Sequence, residues 1–84
     1  MYYVYLAKSL KNDKVYVGFT GKDPKKRIKE HNTGSNKWSK ENKPLKLVYF
    51  ENFICKADAR QRERFFKSGV GKKFKKIIIE NWGS

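Results

Sequence analysis

The sequence predicts an α+β domain of three strands and about three helices. Two short β-like runs, at 2–6 and 15–19, flank a polar turn, and a third apolar run at 45–53 follows a proline. Stretches at 25–32, 56–67 and 72–82 read as helices bounded by start and stop residues. At 84 residues, 38% hydrophobic and 15% aromatic, the chain suffices for one small core, and a single domain over 1–84 is expected.

The turn between the first two runs, Lys11-Asn12-Asp13-Lys14, is even in length and carries turn-forming Asn and Asp. An even loop decides which side chains share a face. With Ser9 opposite Tyr16, one face carries Tyr3, Tyr5, Ser9, Tyr16, Gly18 and Thr20. The other carries Tyr2, Val4, Leu6, Val15, Val17 and Phe19 and is the expected core face. Phenols need partners for their hydroxyls, so the first face suits polar work. Gly18 among them lets a backbone or a substrate approach closely.

Asp23 is a good N-cap and Pro24 suits the first helical position, so a helix over 25–32 ends at Gly34. Its only aliphatic residue is Ile28, and Arg27 and His31 are neighbours at i, i+4. Residues 35–43 read as a loop with at most one helical turn. Trp38 within it is either a core anchor or a platform for a stacked base. The third strand, 45–53, is apolar on both faces at its centre, which predicts a middle strand or one covered by helices. Cys55, the single cysteine, excludes an internal disulfide and a cysteine-rich zinc site, and beside Ile54 it reads as a buried structural thiol. In the helix over 56–67, Ala59, Glu63 and Phe66 share a face, so an acid stands among inward-packing residues. Gly69-Val70-Gly71 breaks that helix, and the next begins at Lys72 with four lysines and a stripe of Phe74, Ile77, Ile78 and Trp82.

Lysine and arginine number 21 against 8 acids, a net charge of +13. Such a charge repels itself in a compact chain, and a polyanion, above all nucleic acid, is the partner that relieves it. A basic protein with no such partner is the alternative. No helix pairs the basic residues with a large aromatic face, and no apolar run approaches membrane-spanning length, so no membrane role is expected. The first residues lead straight into a strand, which gives the expectation of a cytoplasmic protein without a signal peptide.

Tyr5, Tyr16, Arg27, His31 and Glu63 are the residue types that phosphodiester hydrolysis needs. It takes a base for water, a cation for the charge growing on phosphorus, and a carboxylate for a divalent metal. Each also has an ordinary explanation. The tyrosines could be strand aromatics, Arg27 a solvated helix residue, His31 a surface histidine, and Glu63 a partner for Lys67 at i+4.

Tyr3-Val4-Tyr5 followed after ten residues by Tyr16-Val17-Gly18 resembles the paired motif of the GIY-YIG nuclease superfamily. The likeness continues through Arg27, eleven residues after Tyr16, His31 one turn on, and the run Ala-Arg-Gln-Arg-Glu-Arg-Phe-Phe-Lys over 59–67. It covers nearly the whole chain and is closest to small stand-alone bacterial members. The resemblance implies a three-stranded antiparallel sheet flanked by helices, which agrees with the element order. It implies a metal-dependent endonuclease with Tyr5, Tyr16, Arg27, His31 and Glu63 as catalytic residues. Tyr5 and Tyr16 are implied to form a phenol–water network in which one of them, Tyr16 before Tyr5, is the general base, with His31 a proton acceptor or phosphate donor, Arg27 the ligand of the scissile phosphate, and Glu63 the ligand of one Mg²⁺ or Mn²⁺ ion. Arg27, Lys26, Lys67, Lys72 and Lys73 are expected to bind nucleic acid, DNA before RNA, on a monomer. Two positions depart from the family pattern. Tyr3 replaces the first motif glycine, and Lys67-Ser68-Gly69 stands where many members carry an active-site asparagine. A non-catalytic nucleic-acid-binding module that keeps the nuclease fold is therefore the rival reading.

Overall fold

β1 (Tyr2–Ser9) runs between β2 (Val15–Thr20) and β3 (Leu45–Phe53) in a three-stranded antiparallel sheet. The computed structural model describes residues 1–34 and 36–82, without the side chain of Trp82. Val4, Tyr5, Leu6 and Ala7 are each no more than 1% exposed, so β1 is buried on both faces. The middle strand is therefore β1, and β3, whose sequence suggested either that place or cover by helices, forms an edge that helices contact.

A bulge explains the misleading apolar run. Leu6 pairs with Tyr49 and Ala7 with Leu47, which leaves Val48 as an extra residue. Leu45 and Leu47 thus share a face with Ala7, whereas past the bulge Phe50 faces with Tyr5, and Tyr49 with Leu6. The change of alternation reads in sequence as burial on both sides, yet Phe50 is 44% exposed. The outer edge of β3 is tied down at its start, where Asn32 accepts from the Leu45 amide and donates to its carbonyl.

The β1–β2 register places Tyr5 opposite Gly18 and Ala7 opposite Tyr16. The expected pairing of Ser9 with Tyr16 is thus two residues out, because Ser9 instead pairs across the turn with Lys14. A slip of two preserves the faces, so the division into a phenolic and an aliphatic side holds.

Among the described residues four helices flank the sheet: α1 (Pro24–Asn32), α2 (Lys37–Asn42), α3 (Lys56–Lys67) and α4 (Gly69–Trp82). α3 covers the aliphatic face, where Ala59 and Phe66 pack on Val4, Leu6 and Val17. Fully burying a side chain such as Leu6 or Phe66 contributes about 1.5–3 kcal/mol. α1 covers the phenolic face, where Ile28 packs with Tyr5, Ala7 and Leu45. Asp23 caps α1 by accepting from the Lys25 amide, as its position predicts.

Three expectations need correction. Residues 37–42 form the helix α2, capped by Asn36, which accepts from the Ser39 amide at 2.8 Å. α4 begins at Gly69, before Lys72, because Ser68 caps it, its hydroxyl accepting from the Gly71 amide at 3.1 Å, and Gly71 lies against the Phe65 carbonyl where a methyl group would overlap it. This docking turns Ile78 toward the core and leaves Phe74 and Ile77 about half exposed, while Trp82, expected in the same stripe, lies outside the described side chains. Cys55 is exposed, because the chain leaves the sheet after Phe53 and carries Ile54 and Cys55 outward into the start of α3. Among the described residues no helix is long and apolar enough to cross a membrane.

Candidate nuclease site

Tyr5 sits on the central strand facing α1, so its ring is enclosed and its hydroxyl must find a partner inside the protein. The space for the ring comes from Gly18 across the strand pair, where any Cβ would overlap the phenol. The close approach that a glycine signals is thus filled by Tyr5 itself.

The hydroxyl meets Nε2 of His31 at 2.9 Å. Pro24, Ile28 and His31 are spaced i, i+4, i+7 and form the buried face of α1, which carries His31 to 0% exposure. Its other nitrogen, Nδ1, bonds the Ser39 hydroxyl, also at 0% exposure, with the Asn36 amide 3.5 Å away. Burial first, then the Arg27 guanidinium, hold the His31 imidazole below its ordinary value, and Glu30 opposes them. Burial first, then the neighbouring Tyr16, push the Tyr5 phenol well above its ordinary value, and Arg27 opposes them. Both groups are therefore neutral near pH 7. With the Tyr5 phenol as donor to Nε2, the imidazole hydrogen lies on Nδ1 and is donated to Ser39 Oγ; the opposite tautomer reverses both bonds.

Tyr16 borders this chain from the β2 side. Its ring meets the edge of the His31 ring at 5.0 Å, the Tyr5 ring at 6.1 Å and the Trp38 ring at 5.1 Å. Tyr16 and Trp38 are only partly buried, in contrast to Tyr5 and His31. Trp38 is thus both anchored at the edge of the core and open to solvent on one side. Arg27 has 31% of its side chain exposed and is held by Glu30 at 3.4 Å, which Lys22 also meets at 3.4 Å. The arrangement separates an enclosed pair, Tyr5 and His31, from an accessible pair, Tyr16 and Arg27.

Glu63 stands apart from these four. It lies on α3, against the opposite face of the sheet, with its side chain 13% exposed. Its two oxygens accept from Arg60 at 3.1 Å and Lys67 at 3.0 Å, both on its own helix. The layers approach each other around the β2 edge, where Arg60 stacks 3.9 Å over Phe19 and Tyr16 projects from the other side. Glu63 passes one test as a metal ligand, being a single carboxylate whose partners are half-exposed side chains that can be displaced at little cost. Among the described residues no cluster of three or more His, Cys, Asp or Glu could hold a metal by itself. Lys26 is exposed on α1, and Lys72 and Lys73 are exposed on α4.

Ser39 and Asn36 are site residues that the sequence reading passed over as loop. The available signal was Asn36 itself, an N-cap residue three positions before a serine. The placement of Ser39 against His31 has no local signature, since eight residues separate them.

The model of the GIY-YIG catalytic domain matches residues 1–77. A UPF0213 protein of Clostridium perfringens (strain 13 / Type A) is 44% identical over 68 residues, covering 80% of this chain and 71% of the relative. A UPF0213 protein of Staphylococcus saprophyticus is 39% identical over 80 residues, 94% of this chain and 95% of the relative. The UPF0213 protein YazA of Bacillus subtilis (strain 168) is 39% identical over 71 residues, covering 83% and 70%. No solved structure matches. The chain belongs to the GIY-YIG catalytic-domain family, with small UPF0213 proteins as its relatives.

Proposed function

We propose that the protein is an endonuclease that hydrolyses a phosphodiester of DNA, in the cytoplasm, with one divalent metal ion. The observation that carries this reading is the division of the site. A solvent-accessible phenol and guanidinium, Tyr16 and Arg27, stand beside a buried phenol–imidazole–hydroxyl chain. A buried imidazole needs partners at both nitrogens in any case, so the weight falls on Tyr16 and Arg27, a phenol and a guanidinium left partly open to solvent beside it. In this reading Arg27 binds the scissile phosphate and stabilises its growing charge. Tyr16, acting as the phenolate, would take the proton of the attacking water as the water oxygen bonds phosphorus in line and the P–O3′ bond breaks, and the phenol proton so gained returns to solvent. Tyr5, His31 and Trp38 hold the Tyr16 ring in place, and Ser39 holds His31. Glu63 is the residue that would hold Mg²⁺ or Mn²⁺, freed from Arg60 and Lys67. The ion would supply charge for the leaving oxygen, as a hard cation bound by one carboxylate, water and phosphate oxygens.

The pairing of both Glu63 oxygens with cations, together with Lys67-Ser68-Gly69 in place of an asparagine, favours a second reading. In it the chain binds nucleic acid without cutting it. An assay on branched, single-stranded and duplex substrates with Mg²⁺, Mn²⁺ or EDTA decides between them. Cleavage that appears with metal and vanishes with EDTA supports the enzyme. Binding without cleavage on every substrate supports the rival.

A further inference from the structure

α4 and the start of β2 enclose an open cleft of about 360 Å³ with an unusual lining. Val15 and Ile79 form its apolar part, and Lys72, Lys75, Lys76 and Glu80 form the rest. Positions 72, 75, 76 and 79 recur at helical spacing, so one face of α4 points three amines at the same space. Among the described residues none of these lysines makes an ion pair, although Glu80 shares the lining. Lys75 is partly buried, so its charge is neither paired nor fully hydrated. Burial first, then Lys72 and Lys67, hold its amine below the ordinary value. Like charges gathered this way oppose folding. An anion in the cleft would remove that cost.

We propose that this cleft is a second phosphate subsite, which holds the backbone of a nucleic-acid strand as it passes the β2 edge from the Tyr16 and Arg27 side. Val15 adjoins Tyr16 in β2 but faces the opposite way, so the cleft lies around the strand edge from the phenolic site. Lys67 continues the basic track, since it stands near Lys75 and bonds Glu63 at 3.0 Å. The amines meet the phosphate, and the apolar part accepts the sugar. The net charge of +13 opposes a second copy of the chain as occupant and favours a polyanion. The proposal takes nucleic acid as its ligand from the nuclease reading, but it does not require cleavage.

The test compares the full chain with two triple variants of equal charge change. One is Lys72→Gln, Lys75→Gln and Lys76→Gln. The other is Lys11→Gln, Lys46→Gln and Lys56→Gln, at exposed positions outside the cleft. Affinity for a fluorescent 12-nucleotide strand and for its duplex is measured by anisotropy in EDTA across a salt series, with inorganic phosphate as competitor. The cleft variant should lose about tenfold or more in affinity, and its plot of log K against log salt should flatten by about two contacts. The control variant should change by less than one contact. The cleft variant should also melt no lower than wild type, since it removes repulsion. Glu80→Gln should strengthen binding severalfold. Equal losses in the two triples overturn the subsite while leaving the nuclease reading intact. A wild type that binds neither strand nor duplex overturns the subsite and counts against the nuclease reading as well. Displacement by millimolar phosphate as complete as by unlabelled strand would show a site for free phosphate and also overturn the subsite. A selective loss in the cleft variant, with no cleavage of any substrate by wild type, upholds the subsite and overturns the nuclease reading.

Discussion

Tyr5 and His31 form a buried hydrogen-bonded pair, hydroxyl to Nε2 at 2.9 Å, that joins the central strand to α1. Neither is more than 1% exposed, whereas Tyr16 and Arg27 beside them are partly exposed. Their pairing therefore supports the accessible residues around them.

The pair depends on Gly18. Gly18→Ala places a methyl group inside the Tyr5 ring, and neither the central strand nor α1 gives way easily. The expected loss is about 1–3 kcal/mol, the usual cost of overpacking a filled core. Urea unfolding monitored by far-ultraviolet dichroism measures it. An unchanged midpoint would mean that the ring does not lie over position 18.

Ser39→Ala removes the partner of His31 Nδ1 and leaves a buried polar nitrogen to the more distant Asn36 amide. A loss of about 1–3 kcal/mol is expected. His31 is the sole histidine, so ¹⁵N spectra of selectively labelled protein show its tautomer directly. Wild type should be protonated at Nδ1, and the variant should shift toward a mixture or toward protonation at Nε2. A wild type already protonated at Nε2 would reverse the direction of the hydrogen-bond chain.

Stability should fall with acidity in a window set by His31. Its folded value lies below the ordinary one, so the unfolded state binds the proton more readily. The contribution is complete above the unfolded value of about 6.5 and is lost as pH falls from there through the folded value. Melting temperature measured between neutral pH and pH 5 should drop in wild type. His31→Gln, less stable at neutral pH, should drop less steeply. Parallel profiles would assign the acid sensitivity to other groups.

Arg27 and Glu63 should separate binding from cutting. Arg27→Ala is expected to weaken both affinity and cleavage. Glu63→Ala should abolish cleavage while leaving metal-free affinity unchanged or slightly higher, since it removes a negative charge and releases Arg60 and Lys67. Calorimetric melting alongside the assays checks the fold. If Glu63→Ala unfolds the domain, the carboxylate serves as a structural ion-pair centre.

The phenolic face was legible because face membership depends only on whether the hairpin loop is odd or even. The register was not, since the count needs to know where the ladder closes, and it closes at Ser9 and Lys14. The strand order was hidden by Val48, because a bulge converts alternating burial into an apolar run. Arg27 and His31 follow from one helix turn, so sequence spacing places them together. Ser39 reaches His31 through the packing of α2 on α1, and that depends on tertiary contacts. The exposure of Cys55 shows the same limit, as an apolar neighbour in sequence says little once a strand has ended. Glu63 was legible as an acid on an inward face, but its two ion pairs and its place across the sheet from Tyr16 were not.

Metal-dependent cleavage by Tyr16→Phe tests the proposed chemistry most directly. The change removes one oxygen from a ring packed against His31 and Trp38 and leaves those contacts in place. If the hydroxyl takes the proton of water, cleavage should fall by about 10²–10⁴. Nucleic-acid affinity should stay the same, because a neutral phenol adds little beside a net charge of +13. Wild-type cleavage that is retained in Tyr16→Phe, with the same metal dependence, would contradict the assignment of Tyr16 as the base.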